Sequence, residues 1–126
     1  MEKTTLIFIG IVACLVSIAS AKSGIATFYT EYVPSACFGY KPEGDMVAAA
    51  GDELWDDGEG CGKTFTVKCT RSQNGARNPC TGKSVKVKIA DQCPGCPSTI
   101  DLSREAFAHI ANPDAGIINI DYEEHE

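Results

Sequence analysis

Two carboxylates and a close pair of cysteines carry the chemistry that this sequence offers. Asp91 and Asp101 enclose Cys93 and Cys96 within one short stretch, residues 90–107. A carboxyl group held at a strand end, beside a covalently closed loop, can protonate or hydrogen-bond the oxygens of a sugar chain. One interpretation is therefore a polysaccharide-binding groove, and the other is an ordinary disulfide-braced loop. Asp101 has a further alternative, which is to cap the helix that follows it.

The Cys93-Pro94-Gly95-Cys96 run also matches a thiol–disulfide exchange motif. Exchange requires a thiolate with a low pKa, usually at a helix N-terminus, and several residues separate this pair from the helix predicted to start at Arg104. A structural zinc site needs four ligands, and histidines are scarce in this sequence. We therefore interpret the pair as a structural disulfide, and we expect neither a metal nor a cofactor.

The N-terminus has the three parts of a secretory signal peptide. Lys3 supplies the positive charge, residues 6–18 are apolar, and Ala19-Ser20-Ala21 is a small-residue cleavage site. The apolar run is shorter than the roughly 20 residues that span a bilayer. We expect a signal peptide over residues 1–21 and one small extracellular domain over residues 22–126, not spanning the membrane. Cleavage would remove Cys14 from the seven cysteines and leave an even set, which is typical of a disulfide framework.

The charges are unevenly distributed along the chain, although the formal net charge is only −6. Residues 61–90 contain no acid and carry Lys63, Lys68, Arg71, Arg77, Lys83, Lys86 and Lys88. This basic segment could face an anionic partner such as pectin or a lipid headgroup. Alternatively, its lysines lie beside acidic side chains of neighbouring strands. An acidic exported protein is not expected to bind nucleic acid.

Alternation of apolar and polar residues predicts that most of the chain is β-strand. Such runs occupy residues 24–29, 65–69, 85–89 and 118–122. In the first of them, period two places Thr27 and Tyr29 on one face and Phe28 on the other. A helix is predicted over residues 104–111 with Ser103 as N-cap, and a second short helix around residues 46–55. These elements indicate a mainly β fold, a small closed barrel with one or two short helices.

Four short motifs, in this order and spacing, resemble the first domain of plant expansins. They are Ala36-Cys37-Phe38-Gly39, Gly60-Cys61-Gly62-Lys63, Val67-Lys68-Cys69-Thr70 and Ile100-Asp101-Leu102-Ser103. That domain is a six-stranded double-psi β-barrel shared with family-45 endoglucanases and barwin. Residues 81–87 and 115–120 are similar to the single-domain branch, the plant natriuretic peptide-like proteins. The resemblance covers residues 22–126.

The resemblance implies three disulfides, Cys37–Cys61, Cys69–Cys80 and Cys93–Cys96. It also implies a groove with a polar floor formed by Thr27, Tyr29, Asp91 and Asp101. Asp101 corresponds to the general acid of the family-45 endoglucanases, but Thr30 stands where those enzymes have their second carboxylate. Glu31, one residue later, would point the other way in a strand. The resemblance therefore implies a vestigial groove without catalytic residues, and a protein that is not an enzyme. For Tyr29 the alternative is a half-buried strand residue whose hydroxyl is satisfied within the protein.

The resemblance also implies a role as a systemic extracellular signal in water and solute homeostasis, acting in the apoplast on a cell-surface receptor. The implied signalling segment contains Phe38, Tyr40 and Trp55. For Trp55 two other interpretations are open, a residue that stacks on a sugar ring and a core or lid residue. Three alternatives stay open: a protein that binds or loosens cell-wall polysaccharide, a weak family-45-type endoglucanase, and a barwin-like defence protein. We expect a monomer.

Overall fold

The computed structural model describes residues 21–73, 75 and 77–125. The predicted signal peptide therefore lies outside the described residues, except for Ala21. Within the described part of the chain, every helix is too short or too polar to cross a bilayer.

The described residues form six strands that close into a barrel. The strands are β1 (Lys22–Tyr29), β2 (Val47–Ala50), β3 (Thr64–Ser72), β4 (Ser84–Gln92), β5 (Ile100–Ser103) and β6 (Ile118–His125). Around the barrel their order is β1-β5-β2-β4-β3-β6. The pairs β1–β5 and β2–β4 are parallel, and the remaining pairs are antiparallel. The predicted six-stranded double-psi β-barrel is confirmed.

Side-chain alternation fills the barrel as the sequence pattern predicts. Within residues 65–69 of β3, 85–89 of β4 and 118–122 of β6, every second side chain is buried. The buried sets are Phe65, Val67 and Cys69 on β3, Val85, Val87 and Ile89 on β4, and Ile118, Ile120 and Tyr122 on β6. Each fully buried aliphatic side chain contributes about 1.5–3 kcal/mol. This common core makes the strands one cooperative unit.

Helix α2 (Arg104–Ile110) closes one side of the barrel. Ser103 caps it as predicted, because its hydroxyl accepts a hydrogen bond of 3.1 Å from the Ala106 amide. Phe107 is fully buried, and its ring centroid lies 5.0 Å from that of Phe28. The helix ends at Ile110, one residue before the predicted end. Ser103, and not Asp101, therefore caps this helix.

The helix predicted around residues 46–55 is wrong in its first half. Val47–Ala50 is strand β2, which is buried along its whole length between β4 and β5, and only Asp52–Trp55 forms helix α1. Alanine favours helix in isolation, but pairing on both edges with buried strands overrides that preference. Gly51 separates the two elements. A Cβ at this position would lie 2.4 Å from the Ser98 carbonyl oxygen, so only glycine fits.

The structure contains three disulfides, Cys37–Cys61, Cys69–Cys80 and Cys93–Cys96, the same pairs that the resemblance implied. The first links the loop after β1 to the turn before β3. The second links β3 to the segment before β4, and the third closes the turn between β4 and β5. The long connections of this small barrel are thus held covalently.

The basic segment lies largely on the outward faces of β3 and β4, where some of its cations meet acids. Lys68 lies opposite Asp121 of β6, and Lys88 forms an ion pair with Glu43. The Lys88 ammonium also lies 5.2 Å from the centroid of the Phe38 ring. Acidic neighbours therefore account for part of the basic segment, and an anionic partner for the rest stays a prediction.

Candidate functional site

Four residues form a row across four neighbouring strands. Thr27 of β1 pairs with Asp101 of β5, Asp101 with Ala49 of β2, and Ala49 with Asp91 of β4. Residues in register on adjacent strands point to the same face of a sheet. The two carboxylates therefore lie on one face, two strands apart, which corresponds to about 10 Å between their Cα atoms.

A bulge in β4 places Asp91 in this row. Ala48 pairs with Ile89, whereas the next residue, Ala49, pairs with Asp91, so Ala90 is the extra residue. An inserted residue shifts the side-chain alternation of a strand by one position. Without the bulge, Ala90 would pair with Ala49 and Asp91 would point to the opposite face. The alternation that predicts β4 gives no sign of this shift.

Asp101 is half-buried and hydrogen-bonded. The Thr27 hydroxyl donates to its Oδ1 atom at 2.8 Å. Burial disfavours the charged form and raises the pKa of Asp101, while the hydrogen bond from Thr27 opposes that rise. A carboxyl group with a raised pKa is suited to donate a proton or to exchange hydrogen bonds with a neutral hydroxyl.

Tyr29 adds a phenol to the same face of β1. Its ring packs edge-on against Tyr32, with centroids 5.2 Å apart at an interplanar angle of 83°. Its hydroxyl oxygen is buried and has no hydrogen-bond partner among the described residues. Burial, and then the negative charges of Asp91 and Asp101, raise the pKa of this phenol, so it stays a neutral donor. Phe28, between Thr27 and Tyr29, points to the core as predicted.

Asp91 holds the loop that follows β1. Its Oδ1 atom accepts hydrogen bonds of 2.9 Å from the amides of Ala36 and Gln92. The Cys37 amide donates to the Ala90 carbonyl at 3.1 Å, which fixes the same loop beside β4. Asp91 therefore has a positioning role that its place in the sequence does not reveal.

Thr30 and Glu31 lie beyond the end of β1, in an exposed part of the loop. The expectation that Glu31 points away within a strand is therefore wrong, because the strand has already ended at Tyr29. Further along this loop the Tyr32 hydroxyl donates to Glu105 and accepts a hydrogen bond of 3.1 Å from the Arg104 amide. Tyr32 thus fastens the loop to the start of α2.

Ser98 is a site residue that sequence reasoning missed. It is 4% exposed, and its Oγ lies 2.8 Å from the Thr27 Oγ1 and 3.4 Å from the Cys96 Sγ. A serine between a proline and a strand is typical of a turn, so its type and position carried no signal of this contact.

The three aromatic residues of the predicted signalling segment lie outside the four strands that carry the row of site residues. Tyr40 is 80% exposed in the loop before β2, and Phe38 is half-buried beneath Lys88. Trp55 is half-buried at the end of α1 and packs against the barrel core, as the core alternative expected. Among the described residues, no group of three or more His, Cys, Asp and Glu side chains is placed to hold a metal ion.

The sequence is similar to a family model and to two plant proteins. A family model described as lytic transglycolase, with a double-psi β-barrel domain, matches residues 47–122. The chain is 60% identical over 123 residues to EG45-like domain containing protein 1 of Arabidopsis thaliana, covering 97% of this chain and 98% of the relative. It is 58% identical over 113 residues to an EG45-like domain containing protein of Citrus jambhiri, covering 86% of each chain.

Solved structures share the fold. A mutant of the Clavibacter michiganensis expansin, in complex with cellohexaose, superposes with a TM-score of 0.67 at 26% identity. The match covers 84% of this chain and 50% of the expansin, so the chain spans half of that protein. A GH45 endoglucanase in complex with cellobiose has a TM-score of 0.58 at 18% identity over 82% of this chain and 80% of the enzyme, a likeness of fold alone. Taken together, these matches place the chain in the expansin-like double-psi β-barrel family, among the EG45-like domain containing proteins.

Proposed function

We propose that the protein binds an extended glucan chain along the face that carries Thr27, Tyr29, Asp91 and Asp101, without cleaving it. The observation that carries this proposal is that Thr27, Asp101 and Asp91 lie in one row across β1, β5, β2 and β4, in which Ala49 is the β2 member. Neighbouring strands are about 4.8 Å apart, so the Thr27 hydroxyl and the Asp101 carboxylate are one strand spacing apart and the Asp91 carboxylate lies two spacings further on, which suits a linear ligand with many hydroxyls. The similar expansin structure that contains cellohexaose supports a glucan as this ligand.

The buried hydroxyl of Tyr29 supports a ligand at this place. A buried phenol without a partner is costly, because the group has lost its hydrogen bonds to water. This oxygen has almost no exposed area in the free protein, so a sugar oxygen that accepts from Tyr29 and recovers that free energy must displace part of the groups that cover it. The Thr27 hydroxyl donates a hydrogen bond to Asp101 and would hold this carboxylate in place for a sugar hydroxyl.

Cleavage with inversion needs an acid and, about 6.5–9.5 Å away, a base that activates water. The raised pKa of Asp101 suits it as the acid. By the family resemblance, Thr30 stands where the endoglucanases have their second carboxylate, and threonine has no carboxyl group. Asp91 is the remaining carboxylate of the row, and its Oδ1 atom is engaged by two backbone amides. We therefore propose that the groove holds sugar and does not hydrolyse it.

A titration of the protein with cellohexaose tests the binding proposal. We expect Tyr29→Phe to weaken binding about fivefold, the effect of one lost hydrogen bond of about 1 kcal/mol. The control is Tyr122→Phe, the same change on β6, away from the row; it should leave the affinity unchanged. Equal affinities of the wild type and Tyr29→Phe would contradict the proposal.

An assay for reducing ends tests the absence of cleavage. We expect no release from soluble glucans by the wild type at any pH. If the wild type released reducing ends and Asp101→Asn did not, the protein would be an endoglucanase and the non-hydrolytic proposal would be wrong. If Asp91→Asn also abolished it, Asp91 would be the base.

The second candidate is the signalling role in water and solute homeostasis, in the apoplast and through a cell-surface receptor. One observation favours it. Among the described residues, the exposed large hydrophobic side chains are Val33, Tyr40 and Met46, at 45%, 80% and 39% exposure, all in one loop. A partner protein that covered these side chains would remove their apolar area from water on binding. Three disulfides suit an extracellular location.

A swelling assay on plant cells separates this candidate from glucan binding. If the loop carries the signal, Tyr40→Ala abolishes swelling and Asp101→Asn does not. The opposite result would assign the response to the groove. No swelling with wild-type protein, applied as a monomer, would remove the signalling candidate.

A further inference from the structure

A chain of polar contacts joins the Cys93–Cys96 disulfide to the carboxylate of the groove. The Cys96 Sγ lies 3.4 Å from the Ser98 Oγ, and the Ser98 Oγ lies 2.8 Å from the Thr27 Oγ1. Thr27 in turn donates to Asp101 at 2.8 Å. A sulfur atom and a carboxyl group are thus linked through two hydroxyl groups.

Each hydroxyl group has one proton, and this determines the direction of the chain when Asp101 is ionised. The Thr27 hydroxyl donates its one hydrogen bond to Asp101, so the Thr27 oxygen must accept the hydrogen bond from the Ser98 hydroxyl. The Ser98 oxygen can then only accept, but a disulfide sulfur has no proton to give. The contact between Ser98 and Cys96 is therefore left without a hydrogen.

The hydrogen bonds can run in the opposite direction when Asp101 is protonated. Asp101 can then donate to Thr27, Thr27 to Ser98, and Ser98 to the sulfur, which is a weak acceptor. Every contact in the chain now holds one proton. With the disulfide intact, all contacts of the chain are hydrogen bonds only when Asp101 is neutral. When Asp101 is ionised, the contact between Ser98 and the sulfur has no hydrogen.

We propose that the Cys93–Cys96 disulfide is a redox-sensitive switch that sets the protonation of Asp101 through Ser98 and Thr27. A dithiol reductant attacks one sulfur as a thiolate and forms a mixed disulfide; its second thiolate then displaces the protein sulfur. Two electrons pass to the protein, both cysteine sulfurs take up protons, and the reductant leaves as a disulfide. The new Cys96 thiol has two acceptors, the Ser98 Oγ at 3.4 Å and the Ser98 carbonyl oxygen at 3.6 Å, and by donating to the hydroxyl it completes the chain toward an ionised Asp101.

The surroundings allow reduction without loss of the local structure. Pro94 and Gly95 are exposed at the tip of the turn, so a reductant can approach. Backbone hydrogen bonds also hold the turn, from the Cys93 amide to the Ala50 carbonyl at 2.8 Å and from the Gly51 amide to the Thr99 carbonyl at 3.0 Å. These bonds do not depend on the sulfur–sulfur bond, so Ser98 keeps its place beside Thr27.

Three other titratable groups lie near this chain of contacts. Tyr29 of β1 and Asp91 of β4 share the face of Asp101, and Asp52 of α1 accepts a hydrogen bond of 3.3 Å from the Gly95 amide. A free cysteine thiol has an ordinary pKa of about 8.5 and is protonated in acid. In the acidic range where Asp101 titrates, the sulfur is therefore a donor.

Two single variants isolate the effect, because both lack the disulfide and only one keeps the thiol at Ser98. Cys93→Ala leaves the Cys96 thiol in place, and Cys96→Ala removes it. With the carboxyl carbon of Asp101 followed by NMR across pH, we expect its pKa in Cys93→Ala to be lower than in Cys96→Ala by about half a unit. Adding Ser98→Ala to both variants should abolish the difference. Equal values in the two single variants, or a difference that persists without Ser98, would overturn the proposal.

The consequence for sugar binding depends on the proposed function, but this titration does not. Failure of wild-type protein to bind cellohexaose would refute the glucan proposal and leave the pKa comparison intact. If glucan binding is real, its pH dependence should shift in Cys93→Ala, relative to Cys96→Ala, in the same direction as the pKa of Asp101.

Discussion

Thr27 lies directly opposite Asp101 on the neighbouring parallel strand and donates a hydrogen bond of 2.8 Å to its carboxylate. The two residues are far apart in the chain, on the first and fifth strands. Their contact sets the balance at Asp101, where burial favours the neutral acid and the hydroxyl favours the charged form. Changes at either residue should therefore appear in the protonation of the groove.

Replacing Thr27 by valine should raise the pKa of Asp101 further. The substitution keeps the shape of the side chain and removes the donor that stabilises the carboxylate. NMR titration of the Asp101 carboxyl carbon measures the change. Thr66→Val, on the outward face of β3, serves as the matched control and should leave that titration where it is. A lower pKa in Thr27→Val would mean that the hydroxyl does not act as a donor to the charged form.

Burial of Asp101 should make stability depend on pH. Its pKa is raised above the ordinary value of 3.8, so the native state holds the proton more tightly than the unfolded state. The favourable contribution is complete below pH 3.8 and is lost as the pH rises through the native pKa. Asp101→Asn should therefore gain stability relative to the wild type as the pH rises toward neutral, as measured by urea unfolding. The matched control is Asp57→Asn at an exposed position, whose free energy of unfolding should change with pH as that of the wild type does. The same pH dependence in Asp101→Asn and the wild type would refute the expectation.

Removing the hydroxyl of Tyr29 should not destabilise the free protein. The oxygen is buried and unpartnered among the described residues, so Tyr29→Phe loses no hydrogen bond and removes a desolvated polar group. We expect the free energy of unfolding to stay equal or to rise by up to about 1 kcal/mol. Thermal and urea unfolding without sugar measure it. A loss of more than about 1 kcal/mol would indicate that the phenol already has a structural partner.

The disulfides should differ in their contribution to stability according to the loop that each one closes. Cys37–Cys61 has a sequence separation of 24 and Cys93–Cys96 a separation of 3. Loop entropy predicts a loss of about 3.4 kcal/mol when both cysteines of the first pair become alanine, and about 1.6 kcal/mol for the second pair. Cys69–Cys80, with a separation of 11, should be intermediate at about 2.8 kcal/mol. Urea unfolding of the three double variants measures the order, and a reversed order would contradict this account.

Local patterns were sufficient to predict much of the fold. Strict alternation on β3, β4 and β6 predicted which side chains enter the barrel, because side chains of a strand alternate between its two faces. Ser103 was predicted as an N-cap from its type and from the apolar stripe that follows it. The order of four cysteine-containing and aspartate-containing motifs then indicated the barrel family and the carboxylate at Asp101. Alternation, the N-cap and each single motif depend on residues that are close together in the chain, and the order of the motifs is also visible in the sequence.

The arrangement of the site depends on contacts between distant residues, and only the tertiary structure decided it. Val47–Ala50 became a strand because β4 and β5 pair with it, against the helical preference of alanine. Asp91 faces the same side as Asp101 because of the bulge at Ala90, and its carboxylate holds the loop at Ala36. Ser98 meets Thr27 across a separation of 71 residues. A one-residue register shift or a long-range hydrogen bond leaves no periodic trace in the sequence, because its free energy comes from partners that folding brings together.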